Sequence, residues 1–308
     1  MSLRGWTLAR AVGLAVAVAM LSPVSPVVLV FVPLAVLLLA YHPRSLTAVA
    51  LALVILLSAF AGARAGPAPL WFAERAWALM LGGGFVLSGI LVRSRAVTVR
   101  SVTALAGTAG VLALTAGVRP QVLPQLDWWM SSELRRVALG ATEWLQGVGA
   151  FPGVESTVQR MIAAEVLLYP AFLALASVAS LSVGWYVVSR FAGVGGALGP
   201  LREFRFSDHL VWVLVAGLVL FLLPLGGPAS RLGENAVVFM GGLYLLRGLG
   251  ILLWCGAALV SSAWWAAVWA VVAVLLYPVV VGAALLMGLS DTWLDLRGRL
   301  SRLAGEGD

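Results

Sequence analysis

The chain contains no lysine: all 20 of its basic residues are arginine. It has 13 acidic residues, two histidines and one cysteine, and only 11% of its residues are charged. Each shortage excludes something. The single Cys255 rules out an intrachain disulfide, a Cys-x-x-Cys redox pair and a cysteine-based zinc site. His42 and His209 are far apart and lie in no Glu-x-x-His setting, so no metal site is expected. No Gly-x-Ser-x-Gly elbow and no His-Glu-x-x-His stretch occurs, so the expectation is a protein that is not an enzyme and carries no cofactor. The net charge of +7 is dispersed, with no basic run long enough to track a phosphate backbone, so nucleic acid is not an expected partner. Arginine is abundant together with Ala, Gly, Val and Leu, which points to genome composition rather than mechanism.

What is present is hydrophobicity. Hydrophobic residues make up 62% of the chain and the mean hydropathy is +1.02. Long apolar runs of this kind mark an all-α, polytopic helical membrane protein, with the lipid bilayer as its first partner. Arg4 and Arg10 precede an apolar run from Ala11 to Leu21 in the manner of a signal peptide. Hydrophobicity resumes directly after Ser22–Pro26, so a first membrane segment is the simpler account.

Apolar segments are expected at about Thr7–Leu21, Val27–Ala40 (with Pro33 inside), Ser45–Ala61, Trp71–Val92, Ser101–Val118, Arg160–Val188, His209–Leu223, Asn235–Val260 and Ala263–Leu289, the last kinked at Pro278. Between the fifth and sixth, Asp127–Gln146 reads as an amphipathic helix. Trp129, Leu134, Val137 and Trp144 face lipid, and Glu133, Arg135, Arg136 and Glu143 supply its polar sides. Alternation from a cytoplasmic N-terminus places that helix outside. Nine crossings would put the two Arg-bearing ends on opposite sides, against the positive-inside tendency, so eight or nine transmembrane helices are expected. The resulting organisation is a six-helix core at 1–190 that includes an extracytoplasmic insert at 119–159, a cytoplasmic linker at 191–209, and C-terminal membrane helices at 210–308 that end in a short amphipathic tail, Asp291–Leu303. The expected location is the bacterial inner membrane.

Arg247 is the leading candidate site residue. It lies within the apolar stretch Asn235–Val260, about 26 residues long and sufficient to span a bilayer core. Counting from Asn235 places it near the midplane, where an arginine must face a polar interior, a cavity or a partner. The leading reading is a structural ion pair or hydrogen bonds to carbonyls of a broken helix; the functional alternative is that it binds an anionic substrate group or holds an acidic partner within the bundle. Glu165, just before Tyr169 and the helix-bending Pro170, is its expected carboxylate, and Tyr169 and Tyr244 complete the candidate substrate-binding set. Glu74 and Arg75 are expected at the interface, with Arg75 snorkelling. Glu234 and Asn235 are expected to cap a helix N-terminus. The glycine-rich stretch Gly193–Gly199 lacks a Lys-Ser/Thr and a preceding strand, and reads as a linker. Arg202, Arg205, Arg297, Arg299 and Arg302 could form a basic cytoplasmic rim for anionic lipids or a partner.

Three stretches resemble the YybS-like family of multi-pass bacterial membrane proteins. Leu201–Trp212, reading LREFRFSDHLVW, looks like that family's approach to a membrane helix. Asp291–Arg297, reading DTWLDLR, looks like its C-terminal motif, and Tyr244–Leu249 resembles a Tyr-x-x-Gln-Gly-Leu pattern in which Arg247 stands for an amide. The N-terminal half resembles the substrate-binding subunit of energy-coupling-factor vitamin transporters. In that resemblance Ala11, Ala15 and Ala19 on the first helix imply docking to a transmembrane coupling subunit, with an ATPase as a further partner. The three added C-terminal helices and the outer insert depart from it. The two functions expected are therefore transport-related binding of a small organic substrate, or a membrane scaffold that recruits envelope or division partners.

Overall fold

The computed structural model describes residues 3–61, 68–91, 96–147, 154–192, 201, 204–224, 226–257, 268, 271–272, 275–296 and 298–299. Among these it is helical throughout, with no strand. The helices are α1 (Leu3–Leu21), α2 (Pro26–Tyr41), α3 (Leu46–Ala61), α4 (Ala68–Leu91), α5 (Val97–Val118), α6 (Val122–Gly147), α7 (Val154–Ala192), α8 (Val211–Leu222), α9 (Gly227–Ala257) and α10 (Tyr277–Leu294). A 3-10 turn at Asp208–Leu210 leads into α8. The chain divides into two compact units, Ala11–Leu198 and Gly199–Asp308, the latter grouped with Met1–Arg10.

Four of these helices contain stretches long and apolar enough to cross a membrane: Val97–Val118, Ser156–Phe191, Gly227–Leu253 and Tyr277–Leu294. Four more, at Ala11–Leu21, Pro26–Tyr41, Leu46–Ala61 and Asp208–Leu222, are apolar but shorter. Large side chains such as Leu46, Leu57, Ile90, Leu114, Val118 and Leu222 stand exposed on their outer faces. Apolar surface on this scale requires a lipid solvent.

In the Ala11–Leu198 unit, α2 is central. Pro26 starts it in the first turn, where the missing N–H costs nothing. Leu29, Val32, Ala35, Leu37 and Leu38 are almost wholly buried against α3, α4 and α7. Polar side chains tie these helices where apolar groups gain little from leaving lipid. Ser180 donates to the Leu29 carbonyl, and the Trp77 indole donates to Ser177 Oγ at 3.1 Å. In the other unit α9 packs along both α8 and α10, burying Met240, Leu243, Tyr244 and Ile251.

Several expectations change. Pro278 lies in the first turn of α10, where proline is tolerated, and a turn at Leu276 separates α10 from the helical residues 271–272 and 275 before it. Most of the residues before it, Ala258 to Ala267, lie outside the described residues. Glu234 and Asn235 cap nothing, because α9 starts at Gly227; Asn235 is buried and donates to the Arg231 carbonyl at 2.8 Å. Arg75 does not snorkel. It is buried, donates from Nε to the Ala59 carbonyl in the last turn of α3 at 2.7 Å, and lies 3.7 Å over the Trp71 ring. On α6, Leu134 is buried in the unit together with Met130, so it does not face lipid, whereas Trp128 and Val137 are exposed. The side chain of Trp144, Gly193–Gly199, Arg202, Arg297 and Arg302 lie outside the described residues.

Candidate functional site

Asp208, Arg247 and Asp291 converge from three separate stretches of the C-terminal unit. Arg247 projects from α9 and is 3% exposed. It donates from Nε to Asp291 Oδ2 at 2.8 Å, from Nη1 to Asp208 Oδ1 at 2.7 Å and from Nη2 to the Asp291 carbonyl at 3.2 Å. The Phe206 ring lies 5.4 Å from its Cζ and meets Tyr244 edge-on at 5.1 Å. Arg205 pairs with Asp295 at 3.1 Å, and Asp295 ends α10 with φ of 41°. Aspartate is one of the few L-residues that tolerates this left-handed cap.

This arrangement depends on a backbone crossing. A Cβ at Gly248 would overlap the Ala284 carbonyl, and one at Gly288 would overlap the Tyr244 carbonyl. Only glycine at these positions lets α9 and α10 approach so closely, a packing mode common between membrane helices. The approach carries Asp291, one turn past Gly288 less a residue, onto the face of Arg247. Asp291 is expected at the start of an amphipathic tail; it is instead inside the last turn of α10 and 2% exposed.

Counting had placed Arg247 near the middle of its span. The helix starts eight residues earlier than Asn235, at Gly227. Twenty residues therefore separate Arg247 from the α8–α9 turn, about 30 Å or one hydrocarbon thickness. Its partner Asp208 is 61% exposed on its side chain. The network thus opens towards solvent at the start of α8. Two carboxylates on one guanidinium leave an excess of negative charge. Arg247 has already committed its Nε and both terminal nitrogens, which disfavours an anionic ligand there.

The expected Glu165 partnership is replaced. Asp208 and Asp291 hold Arg247, and Glu165 is an exposed residue of α7 in the other unit. Tyr169 is half-buried on α7 in that same unit. Tyr244 is near the Arg247 network through Phe206, but its hydroxyl is buried without a hydrogen-bond partner. Of the three α1 alanines, Ala11 is buried against Tyr186, while Ala15 and Ala19 are exposed.

A second arginine, one residue before the fifth expected apolar segment, Ser101–Val118, is buried in the Ala11–Leu198 unit. Arg100 lies in the first full turn of α5 and is 8% exposed. Its Nη2 donates to Tyr41 Oη and, at 3.4 Å, to the Phe85 carbonyl. Aromatic rings cover it: Phe85 at 4.3 Å, Trp185 at 4.9 Å and Tyr41 at 5.9 Å from Cζ. Gly89 makes room, since a Cβ there would strike the guanidinium. Among the described residues no carboxylate pairs with Arg100, and its Nε is buried without a partner. The only advance signal was its position directly before an apolar run, which equally fits a solvated loop.

No curated protein and no solved structure significantly matches the chain. A protein-family comparison does match, and it spans residues 11–292, which takes in both units and both arginine sites. The apolar helices, their lipid-suited outer faces and this match over most of the sequence agree: the chain belongs to the predicted membrane protein (DUF2232) family.

Proposed function

We propose that this membrane protein is a transport-related binding protein, and that its Ala11–Leu198 unit takes a small organic anion at Arg100. One observation carries the reading. Arg100 is a buried cation with no acidic partner among the described residues and with an unused donor, whereas Arg247 holds two carboxylates. A buried charge without a counter-ion is expensive, and a ligand of opposite sign would offset that cost.

Further features support it. α1–α5 and α7 fit six crossings, with α6 lying at the membrane surface outside; adding α8, α9 and the α10 region gives nine, and eight where one of the short segments is re-entrant. Tyr41, Phe85, Arg100 and Trp185 come from the end of α2, the later part of α4, the start of α5 and the later part of α7, as alternating crossings require. Arg44, Arg93, Arg95 and Arg190 flank those same helix ends, which suits a cytoplasmic face in a bacterial inner membrane. The resemblance to energy-coupling-factor binding subunits and YybS-like proteins fits this plan. Ala15 and Ala19, exposed on α1, would serve a coupling subunit that brings its own ATPase. The protein acts by binding, not by catalysis.

The test is thermal unfolding of the full chain in mild detergent against a panel of small anions and neutral metabolites. A specific ligand at a hundred times its Kd stabilises by about 2.7 kcal/mol. A scaffold that recruits envelope or division proteins gives no ligand-dependent shift, and that outcome would replace the binding reading.

A further inference from the structure

The geometry points to a phosphate group, on a lipid headgroup or on a soluble ligand, as the anion held at Arg100; the inference rests on the anion-binding reading above and names its chemical class.

Arg100 sits where a cation is electrostatically out of place. The N-terminus of a helix carries partial positive charge and favours acids. α5 has no acidic residue in its first turn, and Ala96 at its N-cap supplies no side-chain hydrogen bond. The amides of Val97, Thr98 and Val99 precede the first intrahelical bond, made by Arg100 N to Ala96 O at 3.2 Å. Helix N-termini with such amides are ready anion sites. Here the positive end belongs to the same first turn as a buried arginine, so two independent features of that turn favour negative charge.

The contacts of Arg100 also leave part of its donor set unpaired. Phe85 and Trp185 lie beside the guanidinium within cation–π range, and Nη2 is engaged by Tyr41 and Phe85. Nε remains buried and unpartnered. Aromatic contacts satisfy charge without using N–H donors, whereas an oxyanion bonds to the edge of the fork. The two modes are complementary.

Donor number favours phosphate over carboxylate. Tyr41 accepts from Arg100, so its own hydroxyl proton is available to donate. Ser101 Oγ, next along α5, and His42 Nε2, next after Tyr41, are both buried without partners. Guanidinium, phenol, hydroxyl, imidazole and helix amides exceed what the two oxygens of a carboxylate use. Three terminal phosphate oxygens match them better.

The experiment uses the full chain in detergent and in nanodiscs. Thermal unfolding is compared in inorganic phosphate and in acetate at matched ionic strength. Native mass spectrometry follows retention of phosphatidic acid, a phosphate monoester with three terminal oxygens, against a neutral glycolipid. Variants are Arg100→Gln, Arg100→Lys, Tyr41→Phe and, as a control away from the site, Arg136→Gln. The expected result is phosphate-selective binding that Arg100→Gln weakens by about tenfold or more, the scale of one lost charge-assisted bond. Stabilisation by inorganic phosphate identifies a soluble phosphate ligand; selective retention of phosphatidic acid without that stabilisation identifies a lipid headgroup. If Arg100→Gln does not fold, Arg100→Lys and Tyr41→Phe carry the comparison, since each keeps the charge and loses a directional donor. Equal stabilisation by acetate and phosphate, with no lipid selectivity, overturns the phosphate inference and leaves anion binding standing. No response of the wild-type chain to any anion or phospholipid overturns both and returns Arg100 to a cation held by aromatic rings.

Discussion

Arg247 donates from Nε to Asp291 Oδ2 at 2.8 Å, across a helix crossing that Gly248 and Gly288 make possible. The guanidinium and the carboxylate are both almost fully buried, 44 residues apart in sequence. Asp208 joins them from the lead-in to α8, so one arginine fastens three elements of the C-terminal unit.

Asp291→Asn should therefore destabilise that unit strongly. Removing one partner of a buried ion pair costs about 3–5 kcal/mol, with the low end expected because Asp208 remains. Asp208→Asn should cost about 1 kcal/mol or less, since its side chain is 61% exposed and well hydrated. Denaturant unfolding in detergent checks the order. Equal losses for the two variants would contradict the asymmetry of the network.

The crossing itself makes a second prediction. Gly248→Ala and Gly288→Ala each place a methyl group into opposing backbone, and overpacking of this kind costs about 1–3 kcal/mol or more. Gly241 has nothing within 4 Å of an added Cβ, so Gly241→Ala should be neutral or slightly stabilising by helix propensity. Thermal midpoints of the three variants test this directly.

A third concerns α6. Leu134 is buried, so Leu134→Ala should cost about 2–3 kcal/mol of stability. Val137, three residues on and exposed, should tolerate alanine within about 0.5 kcal/mol. Binding of the protein's outer face to lipid is a separate matter, and Val137→Asp should disturb it without unfolding the unit.

Arg75 supplies a fourth. It donates to the Ala59 carbonyl at 2.7 Å and to the Trp71 carbonyl at 2.9 Å. Arg75→Met keeps the apolar stem and removes both donors. Hydrogen bonds to charged groups contribute about 1.5–3 kcal/mol, and a loss in that range is expected. Hydrogen exchange at the end of α3 should rise with it; unchanged protection there would show that Arg75 is not what holds that helix end.

Much of the architecture was legible because hydropathy is read locally. The boundaries of α2, α3 and α8 lie within a few residues of those expected, since a run of Val, Leu and Ala with a proline or polar stop has one helical solution in lipid. The ends that moved did so for particular reasons. α9 begins at Gly227 because a helix continues through Glu234 and Asn235 when Ser230 and the Arg231 carbonyl take their polar groups. α10 extends to Leu294 because Asp291 has a buried partner.

The site was less legible. Arg247 stood out because a charge in an apolar run is conspicuous, but spacing alone cannot name a partner. Glu165 was the obvious intramembrane acid and Asp291 looked like part of a tail. Arg100 was missed because burial of a helix-end arginine depends on what other helices bring to it.

The sequence by itself determined the solvent: composition and run length make this chain a multi-helix membrane protein, because a backbone in lipid must satisfy its own hydrogen bonds. It also made Arg247 conspicuous, because charges within the apolar runs are few. Tertiary structure decided what those charges do. Two glycines let α9 and α10 touch, and that contact turns Arg247 into a saturated ion network. Four helices meet around Arg100 and supply rings and, among the described residues, no carboxylate, so its guanidinium is held by aromatic faces and by Tyr41. Pairing depends on distances between residues remote in sequence, and those distances exist only once the helices have packed.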